Sequence, residues 1–519
     1  MSISIRSRIE IMLGGADIAF DPLAFDISAF DAAWTDISDD VLGQVSARYG
    51  IQGNGPKDGT ASGGELHFDL DNSAQNAGAT LGWYSPASAS VRAGWTYGVT
   101  VRWVLTYSGT DYTRFRGKVG SIQPDPGLAM ARRVHVVVYD HMRDLMDADV
   151  RQVTTQISKN ENDLITAVLA ALPSSSQPPA TSFDSGLDTY AYAFDNVRGG
   201  VKAGTLLNDI VLSSFGALYT KGDGTLVYKT RRSRSLAVSA ATLSDTMRGL
   251  TVPSTLDGIF NRVRAVIHPK TVDAAATTVL WAQTGTAPSL SPGSSTTIWG
   301  TYRDPTNTLK LIGATAQVTP IVSTTDYTAN SASDGSGSDL TANMSVVTTA
   351  FATTVQFVVT NTGTATLYVT KLQIRGKGIY DNGPRTFENY VAQSYGDRPV
   401  TIDLPYQDDA AVAQDIAAYI AAQFGNLTQQ ISDVTFWTQA SAALATAALT
   451  LEPTDVVTLT ETVSGLSAVK VVIQGVEFVW NSAKELLCKW RLAPSSPFTF
   501  WQLGTAGASE LGQTTVLGF

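Results

Sequence analysis

Residues Gly63 to Ser73 read GGELHFDLDNS. Leu66, Phe68 and Leu70 alternate with Glu65, His67 and Asp69, and the pattern stops at Asp71-Asn72. Period-two alternation predicts a strand with one buried and one wet face. Asp-Asn is turn chemistry. The same pattern recurs on both sides. Upstream, Ile3, Ile5, Ile9 and Ile11 mark a strand. Downstream, YGVTVRWVLTY (97–107), YTRFRGKVGSI (112–122) and RRVHVVVYD (132–140) mark three more. Strands at this close, regular spacing predict a barrel or sandwich across 1–150.

A helix-plus-hairpin module is expected over 151–265. In NENDLITAVLAAL (160–172), Ile165, Val168, Leu169 and Leu172 share one helical face. A second helix, AGTLLNDIVLSSFG (203–216), leads into ALYTKGDGTLVYKTR, where Gly222-Asp223-Gly224 is a hairpin turn. From 266 to 380, charge thins out and Thr, Ser, Ala and Gly dominate. TTVQFVVTNTGTATLYVTKLQIRGKGIYD (353–381) alternates over two strands with a bend at Asn361. That segment reads as an inserted immunoglobulin-like β-sandwich. Residues 381–499 return to mixed structure. There Asp408 or Asp409 caps a helix with the stripe Val412, Ile416, Tyr419, Ile420 and Phe424, and Gly425 ends it. Strands at DVVTLTE, KVVIQGVEFVW and KELLCKWRLA follow. The fold class is therefore mainly β with a few helices, α+β and multi-domain.

The last segment, FWQLGTAGASELGQTTVLGF (500–519), is too rich in glycine for a helix, since each interior glycine costs about 1 kcal/mol. It is too apolar for a solvated linker. Phe500, Trp501, Leu503, Leu511, Val516, Leu517 and Phe519 form an extended docking arm that needs a surface, on this chain or on a neighbour.

Composition excludes several functions. The 519 residues carry a net charge of −10, against a nucleic-acid surface, which needs a basic patch. The basic cluster KTRRSRS (229–235) reads as a solvated strand end. One cysteine, Cys488, allows no disulfide framework and reads as a small apolar core residue. The start MSISIRSRIE lacks the apolar run of a signal peptide, and no membrane span is expected.

The search for chemistry finds little. HExxH, GxSxG and the Walker pattern are absent. His135 and His141 would lie about 20 Å apart on one strand, and both read as surface or interface histidines. Asp334 and Asp339 in DGSGSD lack the spacing of a calcium loop. The carboxylate pairs Asp39-Asp40, Asp408-Asp409 and Asp381 near Glu388 carry little weight among 46 acidic residues. No catalytic residue, metal ligand or cofactor is assigned. Trp83, Tyr84, Trp95, Tyr97, Trp103 and Tyr107 would suit a sugar-binding surface. A barrel core or subunit interface would use the same rings and is the favoured reading.

In order, RYGIQGNGPKDGTASGGELHFDLDNS, WYSP, RAGWTYGVTVRW, FRGKVGSIQPDPG and RRVHVVVYDHMRDL resemble the N-terminal domain of tail proteins from long-tailed bacteriophages. KLQIRGKGIYD, DLPYQDD…VAQDIAAYI, GLSAVKVVIQGVEF and the apolar ending resemble their later domains. The resemblance implies a baseplate hub or minor tail protein: a homotrimer at the virion tail tip, assembled in the host cytoplasm. It implies paired hub-type β-barrels, one near 1–150 and a second across roughly 240–265 and 380–499. The implied partners are the distal tail ring, the tape measure and tail fibres, with roles in host attachment and genome ejection. An acidic chain could line a channel that DNA passes without sticking. A receptor-binding protein for host glycan, a distal tail ring protein and a cell-wall hydrolase are the alternatives.

Overall fold

The computed structural model describes residues 3–13, 34–125, 127, 132–194, 198–245, 247–252, 256–302, 311–425 and 431–495. The docking arm, Phe500 to Phe519, lies outside the described residues.

The alternating strand Glu65–Asp71 forms as its pattern predicts, with Leu66, Phe68 and Leu70 buried. It lies between Val41–Gly50 and Arg133–Asp140, both antiparallel to it. Beyond Arg133–Asp140 come Thr110–Asp125, Thr100–Tyr107, Ile5–Met12 and Trp34–Asp36. On its other side Val41–Gly50 pairs with Leu466–Trp480, setting Gly50 opposite Gly475. From there the sheet continues through Leu486–Pro494, Asp433–Trp437 and Gly249–Thr251, and Val456–Glu461 with Ser239–Leu243 branches from Leu466–Trp480, giving 13 strands among the described residues. The early and late parts of the chain are thus one sheet over one hydrophobic core, which holds Phe68, Trp103, Phe478 and Trp490 together.

A second core gathers three helices, His141–Asp147, Glu161–Ala170 and Ala203–Ser214, with the hairpin Ala217–Thr220/Thr225–Lys229. Glu161–Ala170 buries Ile165, Val168 and Leu169 of the stripe read from sequence, and Ala203–Ser214 buries Leu206, Leu207, Ile210 and Val211. Phe215, with φ 53°, takes the left-handed position that ends the third helix and packs its ring on Tyr419 at 5.8 Å. A third core lies beneath the helix Ala410–Phe424, whose Ile416, Ile420 and Phe424 cover a three-stranded sheet. Asp409 caps that helix by accepting from Ala411 N. Gly425 follows it at φ −80°, ordinary right-handed backbone, so the expected left-handed glycine stop is not used.

The inserted sandwich sets a six-stranded sheet built on Leu367–Asp381 against a three-stranded one, Ser295–Thr301, Thr354–Asn361 and Met344–Ala350. Leu280, Val355, Phe357, Val369 and Ile374 fill the space between them. The bend at Asn361 carries the chain from one sheet to the other, and its amide donates to Leu290 O at 3.0 Å.

Two local readings are corrected. The segment KTRRSRS holds a short helix, Arg231–Ser235, capped by Thr230. Its Arg231 is buried against Asp188 rather than solvated. His141 opens a helix capped by Asp140, so it leaves the strand that carries His135, and it is buried. Of the aromatic cluster, Tyr84, Trp95 and Trp103 are core, while Tyr97 is exposed.

Candidate functional site

Candidate chemistry resolves into structural pairings. Among the described residues no three His, Cys, Asp or Glu side chains converge as metal ligands would. His67 meets Glu65, His135 meets Asp69 and His268 meets Asp403, each at the surface. Asp40 is buried and accepts from Tyr84 OH and Ala77 N. Glu388 pairs with Arg262 and Arg264. Asp334 accepts from Ser336, and Asp339 accepts from Thr341 N in its own turn. No described helix is long and apolar enough to cross a membrane.

What the fold does concentrate is buried charge at the joints between its cores. Arg114, on Thr110–Asp125, has a side chain only 3% exposed. It donates to Glu452 Oε1 at 2.8 Å, Leu449 O at 3.0 Å, Leu451 O at 3.1 Å and the Tyr49 hydroxyl. Burial pushes the Glu452 carboxyl up, and the Arg114 charge opposes it. Gly222 of the hairpin turn lies so close that a Cβ there would stand 2.9 Å from Arg114 backbone. The Arg114 guanidinium therefore joins the early strand Val41–Gly50 to the late segment 449–452, while its backbone lies against the hairpin turn of the helical module.

Two further clusters do the same work. Asp140 accepts from Arg143 N at 3.2 Å and Thr220 Oγ1 at 2.7 Å, while its own N–H donates to Gly64 O. Burial pushes its carboxyl up to about 6. Asp188 takes a two-pronged bond from Arg231, at 2.7 and 2.8 Å, and a third from Gln407 Nε2 at 2.9 Å. That geometry ties the helical module to the segment leading into the helix Ala410–Phe424. Sequence reading missed all three clusters. Removing one partner from such a buried pair leaves a charge or donor without compensation.

The second site is a cleft. Trp299 and Phe351 stand outside the sandwich, 57% and 37% exposed. Their rings are nearly parallel, at 18°, with centroids 6.0 Å apart. They wall a cavity of about 570 Å³ together with Thr354, Arg151 and Gln152.

No family model matches the chain, and no curated protein matches it. Among solved structures the fold is similar to that of a phage tail protein. The 43 kDa tail protein of prophage MuSo2 from Shewanella oneidensis aligns over 94% of this chain and 98% of its own, at 9% identity and a TM-score of 0.50. A tail protein from Neisseria meningitidis MC58 aligns over 94% and 96%, at 11% identity and a TM-score of 0.46. The prophage tail protein gp18 from Listeria monocytogenes EGD-e aligns over 88% and 91%, at 8% identity and a TM-score of 0.37. At 9% identity the likeness to the MuSo2 protein shows a shared fold and nothing beyond it.

Proposed function

We propose that this chain is a structural subunit of the distal end of a bacteriophage tail: a baseplate hub that joins the tail tube to fibre or tip proteins. The observation that supports this most is the single 13-stranded sheet spanning both parts of the chain, in a fold shared end to end with a prophage tail protein. A subunit that transmits load along a tail needs its parts locked together, and the buried Arg114, Asp140 and Asp188 clusters lock them. On this reading the strands of 1–150 and of 240–265 with 381–499 act as two barrel-like lobes. Three copies would then present six lobes to a six-fold tube ring, with the acidic chain lining part of the DNA exit channel. The role is mechanical, without catalysis.

The arm Phe500–Phe519 completes the trimer in this reading, by strand addition to a neighbour. The test is light-scattering mass on the full-length chain and on a truncation ending at Pro497. A full-length trimer with a monomeric truncation is the expected result. Two monomers would overturn the arm as the trimer's assembly element.

A further inference from the structure

We propose that the inserted sandwich carries a binding cleft for an acidic saccharide, where its three-stranded sheet faces the strand Asp149–Gln152. The inference stands on the cleft alone and holds whatever position the chain takes in a tail.

The first observation is a pair of rings that the fold does not use. The sandwich fills its interior with a different pair, Trp281 against Phe357 at 5.5 Å. Gly300 leaves room for it, since a Cβ there would stand 2.5 Å from the Trp281 ring. Trp299, one residue earlier, points the other way. Burying such a ring is favourable in proportion to the apolar area taken from water. Here that gain is left unrealised, beside a cavity of about 570 Å³. A second lobe of about 290 Å³ continues from it, sharing Phe351 and Gln152.

The second observation is the chemistry around the rings. The strands Ser295–Thr301, Met344–Ala350 and Thr354–Asn361 contain no charged residue. Gln356 sits directly opposite Trp299 on one side and Thr349 on the other. Hydroxyl and amide groups thus frame the apolar platform. A protein interface of this size would be more apolar at its centre, and a nucleic-acid surface would be basic. A pyranose matches both parts: its C–H face lies on the rings, and its hydroxyls exchange hydrogen bonds with Gln356, Thr354 and Gln152. The only charge in the lining of the larger cavity is Arg151, which is exposed. A guanidinium at the rim complements a sugar carboxylate.

The test uses the full-length protein on an array of immobilised neutral, sialylated and uronic-acid oligosaccharides, followed by titration with the best binder. Binding to acidic oligosaccharides is expected, weakened at least tenfold by Trp299→Ala. Arg151→Gln should remove the preference for acidic over neutral sugars. Gln356→Ala offers a second reduction if Trp299→Ala does not fold, and Val463→Ala, 95% exposed in the turn between Val456–Glu461 and Leu466–Trp480, should change nothing. No binding to any oligosaccharide would overturn the proposal. So would unchanged binding by a folded Trp299→Ala protein, and binding to neutral sugars alone would overturn the acidic assignment.

Discussion

Arg114 Nη1 lies 2.8 Å from Glu452 Oε1, although 338 positions separate the two residues in sequence. The Arg114 side chain is only 3% exposed and that of Glu452 15%, and the arginine is braced by two carbonyls and a tyrosine hydroxyl. Removing one partner of such a pair leaves an uncompensated buried charge. Arg114→Ala should therefore destabilise the protein by about 3–5 kcal/mol. Arg114→Met combined with Glu452→Gln should recover much of the loss, because neither charge then remains. Denaturant melts of the three proteins check this, and a double variant no better than the single would refute it.

Gly50 is the point where the early strands hand over to the late ones. Its φ is +94°, and a Cβ would stand 2.7 Å from Gln474 O and 2.9 Å from Pro453. Gly50→Ala combines a disfavoured backbone with a backbone clash, and should cost about 2 kcal/mol or more. Gly98→Ala is the matched control: its φ is +81°, but open space surrounds it. Comparing their melting temperatures separates the clash from the backbone cost. Equal losses would show that the handover tolerates a side chain.

Burial raises several carboxyls, and two of them to about 6. Burial pushes Asp140 up to about 6, and burial with the nearby Asp403 charge does the same for Asp209. A folded-state value above the unfolded value means that the folded protein holds its proton more tightly. Their contribution to stability is then present in full below about pH 4 and is lost as pH rises through about 6. Asp209→Asn should raise stability at pH 7 by about 1 kcal/mol, the exposed part of the group being screened by water. It should also flatten the melting curve between pH 4 and 6. A lower melting temperature at pH 7 would contradict this.

Cys488 is buried in the strand Leu486–Pro494, and burial pushes its thiol far above the ordinary range. A thiol reagent should leave the native protein unlabelled at pH 8 and label one site on unfolding. The labelling rate then reports opening of the shared sheet. Rapid labelling without denaturant would show that this core opens readily.

Much of the frame was legible because alternation is a local signal. Leu66, Phe68 and Leu70 announce their strand without help from the rest of the chain. The capped helix Ala410–Phe424 does so too. The pairing of Val41–Gly50 with Leu466–Trp480 was not legible, since register between distant strands depends on packing that no local window contains. The helix Ala442–Thr450 escaped because its alanines give no contrast between faces. Arg231 was misread because an arginine run is usually solvated, and its partner Asp188 lies 43 positions away. At Trp299 a signal did exist. In STTIWGT, Ile298 and Trp299 must point to opposite faces, and the inward place of Gly300 puts the tryptophan outside.

The sandwich enters and leaves the frame through one narrow doorway. Ile267 and Arg385 are direct neighbours on paired strands, so the chain departs and returns at almost the same point. Neighbouring strands sit about 5 Å apart, so a short turn could bridge the gap. A genetic exchange with both breakpoints at this doorway would replace the whole insert and leave every joint of the frame in place. The frame can then stay fixed by its own joints, while the insert drifts, is traded, or is lost.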